Sequence, residues 1–184
     1  AGIMTAATLL NSDKKLKIGI IEPADTHYYQ PAWTLVGAGT YNYEKTAKPM
    51  ESVIPKGATW IKDAATGFDP ENNTVETQSS GPLTYDYLVV APGLAYDLSL
   101  VPGLEEVLDK DVVCSNYTDP KHTWEVLQNF KGGTALFTQP TTTIKCGGAP
   151  QKIMYLAESY FRRSGVRDKT NVVFATPGTV IFGV

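Results

Sequence analysis

Two cysteines are the only thiols in the 184-residue sequence, and one stands in a setting that suits chemistry. The run Lys145-Cys146-Gly147-Gly148-Ala149-Pro150 lies between an apolar stretch at 134–138 and a helical pattern from about Pro150 to Arg163. Proline is favoured in the first helical turn, where its missing N–H would have no partner anyway. Cys146 therefore precedes a helix N-terminus, whose unpaired N–H groups and positive dipole end favour a thiolate. Lys145 beside it is expected to add a stabilising cation. The paired glycines leave room for another group to reach the sulfur. A buried, inert cysteine is the commoner arrangement, but this run is polar and glycine-rich. Cys146 is the candidate catalytic residue.

A second signal lies at the start of the chain. Gly2 opens a helical pattern, and Glu22 follows a strand-like run 20 residues later. That spacing matches a dinucleotide-binding βαβ unit. There a glycine lets helix and strand pack closely, the helix N-terminus faces a pyrophosphate, and a carboxylate accepts from a ribose hydroxyl. Only the last glycine of G-x-G-x-x-G would be present, and a glycine and a glutamate at this spacing also occur by chance. The run Tyr85-Asp86-Tyr87-Leu88-Val89-Val90-Ala91-Pro92-Gly93 adds an apolar strand that ends in a small residue, proline and glycine. Such an end lets the backbone approach a ligand closely. An ordinary tight turn has the same composition, but two approach points favour one large nucleotide.

These residues need elements to position them. Residues 16–22, 59–62, 74–78, 85–90, 134–138 and 171–175 read as strands. Residues 1–10, 118–130 and 150–163 read as helices, with a helical turn near Ser52. Residues 27–39 read as an aromatic-rich loop closed by glycine, and 97–120 as loop-rich. Alternating strands and helices argue for α/β layers with parallel sheets. Both ends read as cuts: a helix starts at residue 1, and residues 179–184 stop just after an apolar segment.

Composition excludes several classes. Hydrophobic residues make up 42% and charged residues 19%, which describes a globular chain. A net charge of −3 gives no support for nucleic-acid binding. Two cysteines are too few for a disulfide scaffold. His27 and His122 lie far apart in sequence, and no metal-ligand spacing is present. The three tryptophans read as packing residues, Trp33 beside Pro31 being the best candidate for an exception.

Two blocks are more specific than the glycine spacing. His27-Tyr28-Tyr29-Gln30-Pro31-Ala32-Trp33-Thr34-Leu35-Val36-Gly37-Ala38-Gly39, together with residues 145–152 and Ile153-Met154-Tyr155-Leu156, resembles sulfide:quinone oxidoreductase, the type of eukaryotic mitochondria and some bacteria. The resemblance covers essentially the whole chain. It implies an α/β flavoprotein with two Rossmann-like, dinucleotide-binding domains, here incomplete. Residues 1–117 would be the first part of the FAD-binding domain without its first strand. Residues 118–184 would start the second domain and carry the redox cysteine.

The resemblance also implies roles. Ala1 and Gly2 match the end of the FAD pyrophosphate loop, and Glu22 the ribose-binding carboxylate. Gln30 and Pro31 match the loop along the flavin nucleotide. Ala65 matches the residue whose backbone reads the adenine, and Gly93 the glycine of a strand passing near the cofactor. Cys146 matches the first redox cysteine. Its partner cysteine, the second FAD segment and the membrane-binding helices belong to a second half not in this sequence. Cys114 resembles a position where some distant members carry a third cysteine; it reads as structural, with transient pairing to Cys146 as the alternative.

The implied chemistry is attack of hydrogen sulfide on a disulfide that includes Cys146. It gives a persulfide and a thiolate, and two electrons pass by way of FAD to a quinone. The sulfane sulfur goes to a small acceptor such as cyanide, sulfite or glutathione. The implied place is the mitochondrial inner membrane, or the surface of a bacterial membrane, with monotopic contact through the second half. Two alternatives stay open. One is a type II NADH:quinone oxidoreductase-like flavoprotein. The Cys146 loop stands against it, because it occupies the turn where a second G-x-G-x-x-G would bind a nicotinamide nucleotide. The other is a non-catalytic nucleotide-binding piece.

Overall fold

Glycine at residue 2 and the helix formers Ala6, Ala7, Leu9 and Leu10 start α1, Gly2–Ser12. Ala6 and Leu10 are one turn apart and both are buried, so one stripe of the helix faces the interior. The computed structural model describes residues 1–142 and 144–181. Thr143 of the cysteine loop and residues 182–184 of the apolar end segment lie outside the described residues.

The chain forms two compact units, each discontinuous in sequence. The first comprises residues 1–28 and 47–96. Here β1 (Ile18–Ile21) pairs in parallel with β4 (Ala58–Ile61), in the register Ile18 to Ala58 through Ile21 to Ile61. The short antiparallel pair β2 (Thr26–Tyr28) and β3 (Ala47–Pro49) leads into the single turn α3 (Met50–Val53). A three-stranded antiparallel sheet follows, in the order β5 (Ala65–Asp69), β6 (Thr74–Thr77), β7 (Leu83–Thr84). Its first turn is held by Asp69, whose carboxylate accepts from the Asn72 amide at 3.2 Å and side chain at 2.7 Å.

The second unit comprises residues 29–46 and 97–184. A one-turn 3₁₀ helix at Gln30–Ala32 runs into α2 (Trp33–Gly37). After the short α4 (Leu104–Val107), Asp119 caps α5 (Pro120–Asn129) by accepting from the amides of Lys121 and His122, both at 3.0 Å. Then β8 (Gly133–Thr138), α6 (Ala149–Arg163) and β9 (Thr170–Ala175) form a βαβ unit, with β8 and β9 parallel over six residues. The core is Leu127, Ala157 and Phe161, packed by Trp124, Phe130, Ala135, Phe137, Tyr160, Val166 and Val172.

Two expectations are corrected. Residues 27–39 are not a loop: they hold the end of β2, the 3₁₀ turn and α2. Pro31 has the fixed φ of a first helical turn, and Trp33 and Val36 are buried. Trp33 is a packing residue, its indole N–H donating to Thr46 Oγ1 at 3.2 Å. Residues 85–90 are not a strand. The run has strand-forming side chains, but no strand pairs with it among the described residues, and Leu88, Val89 and Val90 are exposed. A strand is made by its neighbour's hydrogen bonds as much as by its own sequence.

One polar anchor organises the first unit's antiparallel sheet. Asp63 is buried, and its carboxylate accepts from the amides of Ala64 at 2.8 Å, Ser79 at 3.0 Å and Ser80 at 2.7 Å. Hydrogen bonding from Ser80, joined by the amides of Ala64 and Ser79, holds this carboxyl well below the usual range. Its stabilising contribution is therefore complete above the unfolded pKa of about 4 and is lost as pH falls through the folded value. Asp63→Asn should lower the thermal midpoint by several degrees at pH 7, measured by circular dichroism. It should also flatten the decline in stability below about pH 4; an acid slope equal to that of the unmodified chain would contradict this role.

Candidate functional site

The second unit brings the cysteine loop and the Gln30–Pro31 segment together. Helix α6 starts at Ala149, with Gly148 as its N-cap and no side-chain cap. The Ala149 amide donates to the Cys146 carbonyl at 2.7 Å and closes the turn that carries the thiol. Cys146 is exposed and free. Its thiol is held below the ordinary cysteine range by the Gly148 backbone N–H first, then by Lys152, whose Nζ is 3.4 Å from Sγ, with the Ala149 N–H adding to both. Cys114 is shifted the other way. Burial pushes its thiol up and Asp109 adds to that, while a hydrogen bond with Thr123 opposes.

The expected cation is the wrong lysine. Lys145 Nζ does not serve the sulfur; it donates to Gln30 Oε1 at 2.5 Å, across 115 residues of sequence. Lys152 serves it instead, because side chains in a helix lean toward the N-terminus. A lysine in the first turns of α6 therefore reaches back over the preceding loop. That signal was present in the sequence once the helix start was placed at Pro150.

Beside Lys152 lies a groove of about 450 Å³ lined by Pro31, Thr34, Leu35, Lys152, Tyr155 and Leu156. Its walls come from α2 and α6, which pack on each other, so the groove is built where Gln30 and Pro31 enter α2. Thr34 is fixed by the Asn116 side-chain amide, which donates to its Oγ1 at 3.1 Å. Lys152 thus borders both the thiol and the groove. Tyr155 and Leu156 are further residues that sequence spacing did not assign.

The remaining expected residues, Ala1, Gly2, Glu22, Ala65 and Gly93, lie in the first unit. Ala1 is the N-cap of α1, which has no side-chain cap and no acidic residue in its first turn, a helix start whose charge suits an anion. A Cβ built on Gly2 would lie 3.7 Å from Ala91 Cβ. The helix start therefore stands against the Ala91-Pro92-Gly93 segment, at ordinary contact distance rather than in a space reserved for glycine. Gly93 has φ +87°, which only glycine adopts without strain, and no atom would meet its Cβ within 4 Å. Glu22 directly follows β1; its amide donates to the Ile61 carbonyl at 3.1 Å and its carbonyl accepts from the Trp60 indole at 2.8 Å. Its carboxylate accepts from the Ala24 amide at 2.8 Å. Ala65 opens β5 opposite Thr77, at an irregularity in register.

The two thiols should differ in reactivity. At pH 7, iodoacetamide should modify Cys146 well before Cys114, as read by peptide mass spectrometry. Lys152→Met should slow modification of Cys146 by roughly three- to tenfold and move its pH profile upward, because a cation that favours the thiolate has gone. An unchanged rate in that variant would remove Lys152 from the thiol's environment.

No family model matches the chain. The mitochondrial sulfide:quinone oxidoreductase of Dictyostelium discoideum is 46% identical over 189 residues, covering 100% of this chain and 42% of that protein. The X-ray structure of the sulfide:quinone oxidoreductase from the hyperthermophilic bacterium Aquifex aeolicus matches with a TM-score of 0.76 and 28% identity, over 95% of this chain and 40% of that chain. A type II NADH:quinone oxidoreductase of Staphylococcus aureus matches more narrowly, at 30% identity over 109 residues, 58% of this chain and 27% of that protein. The chain spans about two fifths of the length of the curated relatives it matches. The α/β fold of the two-dinucleotide-binding-domain flavoproteins, expected from the sequence, is the fold it shares with its solved neighbours. At near-half identity along its whole length, the chain is similar to the sulfide:quinone oxidoreductases over the two fifths of them that it spans.

Proposed function

We propose that this chain carries the first redox cysteine and part of the FAD cradle of a sulfide:quinone oxidoreductase. The single observation that carries the reading is Cys146: an exposed thiol whose pKa is lowered by the start of α6 and by Lys152. FAD would supply the two-electron acceptor between sulfur and quinone. The first unit fits such a group: the N-terminus of α1 has no side-chain cap and stands against the Ala91-Pro92-Gly93 segment. Ala1, Gly2, Glu22, Ala65 and Gly93 would hold its nucleotide part, and Gln30 and Pro31 would lie along it.

The chain's own part in the reaction follows from the thiol. In the oxidised state Cys146 would share a disulfide with a cysteine outside this sequence. Hydrosulfide attacks the partner sulfur; the S–S bond breaks, a persulfide forms there, and Cys146 leaves as a thiolate. The Gly148 N–H and the Lys152 ammonium stabilise that thiolate, and a lower-pKa thiol is the better leaving group. The persulfide sulfur then passes to a small acceptor such as cyanide, sulfite or glutathione, which leaves a thiol on the partner cysteine; re-forming the disulfide from the two thiols releases two protons and the two electrons that reduce the quinone. The mitochondrial names of the relatives support a mitochondrial place for the protein, and quinone exchange is proposed at the inner membrane. Among the described residues no helix is long and apolar enough to cross a membrane. Monotopic membrane contact through the second half is proposed on the resemblance alone.

In the complete enzyme, Cys146→Ser should lower sulfide-dependent quinone reduction by about three orders of magnitude or more while leaving flavin absorbance in place. Lys152→Met should retain partial activity, with the acid limb of its pH profile moved upward. Normal sulfide oxidation in Cys146→Ser would end the assignment. Flavin bleaching by NADH but not by sulfide would select the type II NADH:quinone oxidoreductase reading instead.

A further inference from the structure

A second groove in the same unit, about 340 Å³ in volume, shares no lining residue with the one beside Lys152. Its walls include three aromatic rings, Tyr41, Tyr43 and Trp124, and two carboxylates, Glu44 and Glu125. The platform is held in place. Trp124 meets Tyr160 edge to face at a centroid distance of 4.8 Å. The ring also lies over Gly39, where a Cβ would come within 2.5 Å of it and where φ is +68°. No side chain other than hydrogen fits there, so the ring's seat depends on that glycine.

The groove already accommodates one ammonium. Lys121 Nζ stands 4.9 Å from the Tyr43 ring centroid, within cation–π range. The carboxylates remain mostly uncommitted. Glu44 forms no ion pair among the described residues, and Glu125 faces only His122 Nδ1, at 3.9 Å. Aromatic faces together with more than one carboxylate suit a ligand whose ammonium groups are joined by an apolar chain.

We propose that this groove binds small aliphatic polyamines. The methylenes lie on the Tyr41 and Trp124 rings, and the ammonium groups pair with Glu44 and Glu125. The class follows from the walls: two carboxylates outnumber the one Lys121 ammonium, so an anion would meet net like charge, and a neutral apolar ligand would leave both carboxylates unused.

The test is calorimetric titration of the full chain with spermidine at constant ionic strength, with tryptophan fluorescence as a second readout. Saturable binding is expected. Glu44→Gln and Glu125→Gln should each weaken it about threefold, and the double variant about tenfold, the scale of exposed charge pairs. Tyr41→Leu, at an exposed ring, should weaken binding without unfolding the chain. Binding of butylamine as tight as that of spermidine would overturn the proposal. So would a double variant that binds like the unmodified chain, or a response that sodium chloride reproduces. Sulfide oxidation is a separate readout that none of these substitutions should change.

Discussion

The grip of α6 on the parallel strands β8 and β9 is the constraint on which the site depends. Ala157 and Phe161 are fully buried on the inner face of the helix. Burying a phenylalanine is worth about 1.5–3 kcal/mol. Near its C-terminal end Glu158 accepts from Arg162 and from Arg167, both at 2.8 Å, which ties α6 to the turn that leads into β9. A helix held this way has little freedom in where its first turn points. The Gly148 and Ala149 amides are therefore held at the helix start, and the lowering of the Cys146 pKa leans on the packing of the opposite end.

The contrast between the two cysteines follows from the same physics. Both lie in one unit, yet burial pushes Cys114 up while N–H groups and an ammonium pull Cys146 down. Composition says nothing about this difference. Location says nearly all of it: one thiol sits in a half-buried loop near an aspartate, the other in open solvent at a helix start. A protein that uses a cysteine as nucleophile and leaving group needs the second environment and not the first.

Much of this was legible because it is local. Asp119-Pro120 and Gly148-Ala149-Pro150 announce helix starts through capping and the fixed φ of proline, and α5 and α6 begin there. The apolar runs around Ile20, Ala135 and Val173 became strands because parallel neighbours were available to pair with them. What failed was whatever depended on tertiary partners. Residues 85–90 carry a strand's composition without a strand's neighbour. Residues 27–39 carry a loop's composition, yet helix α2 forms there because it packs against α5 and α6. The anchor at Asp63 joins residues 16 and 17 apart, and no periodicity reports it.

The two lysines of the cysteine loop show how sequence adjacency misleads at a site. Lys145 is next to Cys146, but it follows a loop rather than a helix, and its ammonium is taken by Gln30. Lys152 is six residues away, yet the lean of helical side chains brings it to the sulfur. The division has a consequence for the proposed chemistry. One lysine joins the Gly148 N–H in lowering the thiol's pKa, and the other ties its loop to the segment assigned to the flavin nucleotide. A displacement of that segment would be felt through the Lys145 hydrogen bond at the residue next to Cys146. Because the Gly148 and Ala149 N–H groups of the same loop also lower the thiol's pKa, such a displacement would reach its ionisation as well as its placement.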